Sequence, residues 1–147
     1  MAPANDPEGS NGGSPKAEPP DDDTPLPFDG VVLLRAGALA SLAPARLPDL
    51  LRRVQRDLGP RRNQYRRRYE RVHGDAEREL FLVDAEHWED IADRVGLDDR
   101  ESDAVVRAHE AQLERIGSAT DRRDEFDSAL EIRSAVVIGV GDCRARS

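Results

Sequence analysis

The chain has 147 residues, a formal net charge of −8 and a calculated pI of about 4.9. That length suits one domain, and no apolar run approaches the ~20 residues that a membrane span requires. A single cysteine, Cys143, excludes an intramolecular disulfide and is typical of a reducing compartment. We therefore expect a soluble cytoplasmic protein without a membrane partner.

The N-terminal segment differs in composition from the rest of the chain. Residues 1–27 consist mainly of Pro, Gly, Ser, Asn, Asp and Glu, with scarcely a large apolar side chain. Such a segment cannot bury enough surface to offset the entropy of ordering it. The composition predicts a disordered acidic tail over residues 1–27, a single folded domain over residues 28–140 and a frayed end over residues 141–147.

Two helices are predicted at the start of the domain. Asp29 is a candidate cap for a short apolar helix that runs to about Ala43, where Pro44 would stop it. The second helix has Pro48 in its first turn, and Gly59-Pro60 should end it through a left-handed cap. Its apolar stripe at helical spacing comprises Leu47, Leu50, Leu51, Val54 and Leu58.

The segment from Arg61 to Val83 is ambiguous between helix and strand. Tyr65, Tyr69 and Val72 recur at helical spacing, yet His73-Gly74-Asp75 is a turn signal that precedes a short apolar run. We favour an antiparallel hairpin in which residues 69–72 pair with residues 80–83. Two strands are marginal alone, so this hairpin should pack on the helices.

The pattern from Asp84 onward is helical. One helix carries Trp88 and Ile91 and should end at Gly96, and Asp98 with Glu101 forms a capping-box pattern for the next helix, which should end at Gly117. A last helix should begin near Thr120 or Asp121. Its predicted stripe contains Phe126, Ala129, Leu130, Arg133, Val136 and Val137, although the β-branched residues from 135 to 140 leave a strand open there. These elements predict a mainly helical α+β domain of about five helices with a small hairpin.

The last third of the chain carries a family resemblance. In the segments "RVGLDDRESDAVVRAHEAQLERIG" and "DEFDSALEIRSAVVIG", the chain resembles small, acidic, uncharacterised proteins of haloarchaea. The resemblance covers roughly residues 28–139 and implies no known activity. All basic residues except Lys16 are arginine, which is typical of a GC-rich genome, and the acidity suits a salt-rich cytoplasm.

Two adjacent blocks of opposite charge are the largest feature of the sequence. Residues 52–71 hold nine arginines against two acids, net +7, and residues 72–104 hold twelve acids against three arginines, net −9. Arginines interleaved with tyrosines suit RNA or single-stranded DNA, because guanidinium groups bind phosphates and rings stack on bases. The alternative, which we favour, is that these arginines pair with acids inside the fold. The candidate nucleic-acid-binding residues are Arg61, Arg62, Tyr65, Arg66, Arg67, Arg68 and Tyr69.

The segment from Trp88 to Val106 has the outline of a helix-turn-helix. Ile91, Ala92 and Val95 precede the turn glycine, Gly96, and a second helix follows. The second helix begins Asp98-Asp99-Arg100-Glu101, and carboxylates repel phosphates. An ordinary helical hairpin explains the same residues, and we favour it over a DNA-reading motif.

Histidines are the remaining candidates for chemistry. His73, His87 and His109 lack metal-ligand spacing, so we expect no metal and no cofactor. His109 and Gln112 lie beside the apolar stripe of their helix, where a buried polar group needs a partner. We expect a polar cluster between the two C-terminal helices that contains His109, Gln112, Arg133 and Glu131 or Glu125.

The functional prediction is correspondingly general. We expect a small intracellular, non-enzymatic interaction or regulatory module, with a protein partner or a second copy of itself as ligand. Nucleic-acid binding through the arginine block or the helical hairpin is the alternative, and catalysis at His109 is a third, weaker possibility.

Overall fold

The computed structural model describes residues 26–43 and 45–140, and these form an α+β domain. Its helices are α1 (Gly30–Leu39), α2 (Arg46–Leu58), α3 (Arg62–Arg68), α4 (His87–Val95), α5 (Asp99–Ala119) and α6 (Arg123–Leu130). Its strands are β1 (Glu70–Gly74), β2 (Arg78–Asp84) and β3 (Arg133–Gly139), and they form one antiparallel sheet in the order β1-β2-β3. The expected α+β class is confirmed. The parts of the expected tail and frayed end over residues 1–25 and 141–147, with Pro44 and Cys143, lie outside the described residues.

The predicted hairpin forms, and its turn has a side-chain bond that explains the turn signal. Glu70 pairs with Leu82 and Arg71 with Phe81, and a bulge then shifts the register before His73. The carboxylate of Asp75 accepts hydrogen bonds from the backbone N–H groups of residues 77 and 78, at 2.8 and 3.0 Å. Asp75 therefore closes the turn by satisfying two backbone donors.

The third strand corrects the prediction for the C-terminal helix. Helix α6 ends at Leu130, and residues 133–139 pair with β2 along its whole length, Arg78 opposite Gly139 and Asp84 opposite Arg133. β-Branched residues at 136–138 fit a pleated, buried surface better than a helix. Consecutive residues of β2 from Arg78 to Val83 are buried, and since neighbouring side chains in a strand alternate between faces, both faces of the sheet are covered.

Two helix ends also differ from the expectation. Helix α1 ends at Leu39 instead of Ala43, and the Asp29 side chain does not cap it. Gly59 has φ −51° and is right-handed, so α2 passes through a 3₁₀ turn (Gly59–Arg61) directly into α3. Gly96 ends α4 where the sequence predicted, and it does so with φ 84°, a left-handed conformation that favours glycine.

Helix α5 lies at the centre of the domain. It contacts α1, α2, α4, α6 and β3, and its first turn carries the predicted capping box of Asp98 and Glu101. The largest fully buried side chains of the domain include no Asp, Glu, Lys or Arg. They are Phe81, Phe126, Leu47, Leu50, Leu51, Leu58, Leu80, Ile91, Leu113, Ile138, His109 and Gln112. Helix α5 therefore connects α1, α2, α4, α6 and β3 in one core.

Candidate functional site

An open groove lies between α1 and α5. Its volume is about 390 Å³. Its apolar wall comes from α1, and its charged wall comes from α5 and the start of α6. The lining residues are Val31, Val32, Arg35, Ala36, Leu39, Arg107, Glu110, Ala111, Glu114, Arg115, Ser118 and Arg123.

Helix α1 leaves an unusual amount of apolar surface open beside this groove. Val32, Ala36 and Gly37 are buried against the domain. On the other side of the helix, Leu34 is 73% exposed and Leu39 is 64% exposed. A short helix that is apolar on both sides buries one face and leaves the other without a partner.

A polar link fixes α1 to α5 at the mouth of the groove. The Asp29 backbone N–H donates to the Gln112 side-chain oxygen at 2.8 Å, and the Gln112 amide donates back to the Asp29 carboxylate at 3.2 Å. Arg115 Nε also donates to that carboxylate, at 2.6 Å. Burial alone would raise the pKa of Asp29, but the hydrogen bonds from Gln112 and Arg115 outweigh it and hold the pKa below its usual value. The position of α1 is therefore set by specific bonds as well as by packing.

The groove also contains a half-buried acid. Burial raises the pKa of Glu110, the neighbouring Glu114 raises it further, and a hydrogen bond from Ser134 opposes both effects. The Ser134 hydroxyl donates to the Glu110 carboxylate at 2.6 Å. Glu110 thus joins the floor of the groove to β3.

Within the described residues, Asp57 and Glu79 form ion pairs with three arginines of the block. Arg61 pairs with Asp57 at 3.5 Å, and both Arg66 and Arg71 pair with Glu79, Arg66 through two nitrogens. The hydrogen bond from Arg66 is the main reason that the pKa of Glu79 is lowered.

The other candidate residues of the block are placed differently. Arg62 donates to the Gly139 carbonyl at 3.2 Å. Arg67 and Arg68 are exposed and form no ion pair within the described residues. Tyr65 is only 2% exposed, so its ring is not available to stack on a base.

The tyrosines of the block bind a histidine instead. The Tyr65 hydroxyl lies 2.5 Å from His87 Nε2, and the Tyr69 hydroxyl lies 3.5 Å from His87 Nδ1. Burial lowers the pKa of His87, and nearby Arg94 lowers it further. This Tyr-His-Tyr arrangement joins α3 to α4 and stabilises the fold there.

The helical hairpin of α4 and α5 presents an acidic end. Asp98 and Asp99 are exposed at the start of α5. Glu101 is occupied by the capping box and by an ion pair with Arg46 of α2. This end of α5 is therefore fastened to the domain and carries the charge that phosphates repel.

The expected polar cluster around His109 does not come together. His109 is fully buried, lies edge-on to Phe28 and Trp88 with ring centroids 4.8 and 4.7 Å away, and accepts a hydrogen bond from the Val137 N–H at 2.9 Å through Nδ1. Gln112 binds Asp29 as described above. Arg133 lies on a strand and pairs with Glu70 at 2.9 Å, Glu125 pairs with Arg122, and Glu131 is exposed.

Metal-binding clusters and membrane-spanning helices are both absent from the described part of the chain. Within residues 26–43 and 45–140, no group of three or more His, Cys, Asp or Glu side chains is arranged to hold a metal ion. None of the helices in the same ranges is both long enough and apolar enough to cross a membrane.

Sequence reasoning missed the groove and the Glu110–Ser134 bond. Both depend on elements that are distant in the chain. The exposed leucines of α1 could have been noticed, because its apolar residues occupy more of the helix than one buried stripe requires.

Comparison with known proteins places the chain in a family. The model of the family described as "Domain of unknown function (DUF8048)" matches residues 26–140, so the chain belongs to that family. The match begins at Leu26, shortly before α1, and ends at Val140, directly after β3. No curated protein and no solved structure matches.

Proposed function

We propose that this domain is a small, non-enzymatic interaction module that binds a protein partner on the outward face of α1 and in the adjoining groove. The observation that carries the proposal is the exposed apolar face of α1, where Val31, Leu34 and Leu39 are 43%, 73% and 64% exposed. Single exposed apolar residues are common on protein surfaces, but three on one short helix beside a groove are typical of a docking site.

The groove supplies what a bound segment needs for orientation. Its apolar wall suits the hydrophobic side of a helix or an extended peptide, and its charged rim can select the register. The link from Asp29 to Gln112 and Arg115 holds α1 in place before binding. A preformed surface loses less conformational entropy when a partner docks.

His109 supports an interaction role over catalysis. It is the histidine whose position in the sequence best suited chemistry, yet it is fully buried between two aromatic rings. A catalytic group must reach its substrate, and this imidazole has no opening to solvent.

Nucleic-acid binding is the second candidate, favoured by the exposed side chains of Arg67 and Arg68, which form no ion pair within the described residues. The buried ring of Tyr65 counts against it. Titration of a labelled single-stranded oligonucleotide measures this directly. An affinity that falls when Arg67 and Arg68 are both changed to Glu would favour this candidate.

Site-specific crosslinking in the native cell tests the primary proposal. A photoreactive amino acid at Leu34 or Leu39 should give the same crosslinked protein, identified by mass spectrometry. The matched control is Ile132, which is 79% exposed on the segment between α6 and β3. The proposal fails if crosslinking at Leu34 and Leu39 yields no protein, or only the proteins that Ile132 also yields.

A further inference from the structure

The outward face of α1 has the residue spacing of a helix-pairing surface. Leu34, Arg35 and Ala38 lie three, four and seven residues after Val31, which places all four on one side of the helix. Leu39 extends this side towards the groove. The central positions, Val31, Leu34 and Ala38, are apolar, so the surface can pack against another helix.

Two opposite charges beside this surface form no ion pair within the described residues. Arg35, on α1, is exposed, and Glu114, on α5, is partly exposed; both line the groove. The other arginines of the groove are occupied, since Arg107, Arg115 and Arg123 pair with Asp103, Asp29 and Asp127. Glu110, the other acid of the groove, is half-buried and accepts a hydrogen bond from Ser134. The face therefore presents Arg35 as its available cation and Glu114 as its available anion.

From this arrangement we infer that the occupant of the α1 face is a second copy of the chain, bound about a twofold axis. This inference rests on the proposed function and names its partner. In a twofold pair the same surface meets itself, so Arg35 of each copy can pair with Glu114 of the other. A single surface with one free charge of each sign is complementary to itself.

The geometry of α1 agrees with this pairing. A twofold axis across the helix makes the two α1 helices antiparallel. This axis places the groove flanks of both copies on the same side of the helix pair, because a twofold axis maps each flank onto its equivalent. The long Arg35 side chain of one copy can then reach towards the groove of the other, where Glu114 lies.

The experiment is a charge swap read by sedimentation velocity at roughly 100 µM chain, with circular dichroism to confirm folding. Wild-type protein should be dimeric. Arg35→Glu and Glu114→Arg should each raise the dissociation constant about tenfold or more, because each places like charges opposite one another. The double variant R35E/E114R should recover wild-type dimerisation.

Mixing the two single variants gives the sharpest result. One copy then carries two acids at the contact and the other carries two arginines, so an equimolar mixture should form a heterodimer although each variant alone is monomeric. Leu34→Asp should abolish the dimer, and Ile132→Asp should leave it intact. If one single variant cannot fold, it cannot form the heterodimer. In that case, recovery of dimerisation by the double variant R35E/E114R tests the pairing.

Several results would overturn the inference. These are a monomeric wild-type chain, a dimer that survives Leu34→Asp, or single variants that neither recombine nor recover as the double variant. A monomeric chain that still crosslinks to another protein at Leu34 would retain the docking function and refute only the second copy as its partner. A dimer that survives Leu34→Asp without such a crosslink would remove both.

Discussion

The acid stability of the domain should depend on His109. Burial lowers the pKa of this imidazole to about 3, against 6.5 for an unperturbed histidine. The folded state keeps His109 neutral, while the unfolded state takes up a proton as the pH falls below 6.5. Folding stability is therefore fully present above pH 6.5 and is lost progressively between pH 6.5 and pH 3.

The size of this effect follows from proton linkage. One proton taken up only by the unfolded chain lowers the free energy of unfolding by about 1.4 kcal/mol per pH unit. Because protonation of the unfolded chain is incomplete near its pKa, the loss between pH 7 and pH 5 is about 2 kcal/mol. That loss is a substantial part of the 5 to 15 kcal/mol that typically stabilises a domain.

Urea denaturation from pH 5 to pH 7 measures the effect. The test compares wild-type protein with His109→Gln, which removes the titrating group but keeps an oxygen that can accept from the Val137 N–H. The variant should be less stable than wild type at pH 7. As the pH is lowered, however, its free energy of unfolding should fall less steeply than that of wild type, and the difference in slope should correspond to at most one proton. His87→Gln is the control, since His87 is only half-buried and its pKa is lowered less.

The chosen pH window isolates the histidine. Carboxylates with lowered pKa values, such as Asp57 and Glu79, lose their stabilising effect only below about pH 4.5, under the window. Glu110 has the opposite sign, because its raised pKa favours the folded state as the pH falls, but it is present in both proteins and cancels in the comparison. Equal pH slopes for wild type and His109→Gln would refute the reasoning.

Three further predictions follow from the structure. Glu110→Gln should raise the urea midpoint at pH 7 and have less effect at pH 4, because the folded state disfavours the charged acid; a lower midpoint at pH 7 would contradict this. Gly117→Ala should destabilise the domain by about 1 to 3 kcal/mol, since its new Cβ would lie 2.8 Å from the buried Phe126 ring, whereas Gly30→Ala, with open space around it, should be tolerated. Deleting residues 1–25 should change the free energy of unfolding by less than about 1 kcal/mol, because their composition cannot support a core; loss of the cooperative transition would show that they pack.

The deletion in that last test stops at residue 25 for a structural reason. Arg78 Nε donates a buried hydrogen bond to the Pro27 carbonyl at 3.0 Å, and Pro27 also lies against Gly139. Leu26 is half-buried. These two residues pack with the domain although their composition resembles the tail, because long-range contacts decide where an ordered segment begins.

Local signals in the sequence determined much of the helical framework. The apolar stripe of α2, the end of α4 at Gly96 and the capping box of α5 all lie where their patterns predicted them. The hairpin of β1 and β2 was also predictable, since its turn is closed by Asp75 within a few residues. Each of these features is stabilised by atoms close together in the chain.

The tertiary structure alone decided the features that join distant segments. Residues 133–139 form a strand because the edge of β2 offers backbone partners from Arg78 to Asp84, far away in the chain. Arg133 therefore lies on this strand and not on the helical stripe assigned to it. His109 accepts a hydrogen bond from the Val137 N–H, and Gln112 accepts one from the Asp29 N–H, so the expected polar cluster does not form. The groove likewise exists only because α1 packs across α5. The spacing of hydrophobic residues determines which face of a helix is buried. The packing of the whole domain determines which other elements that face contacts.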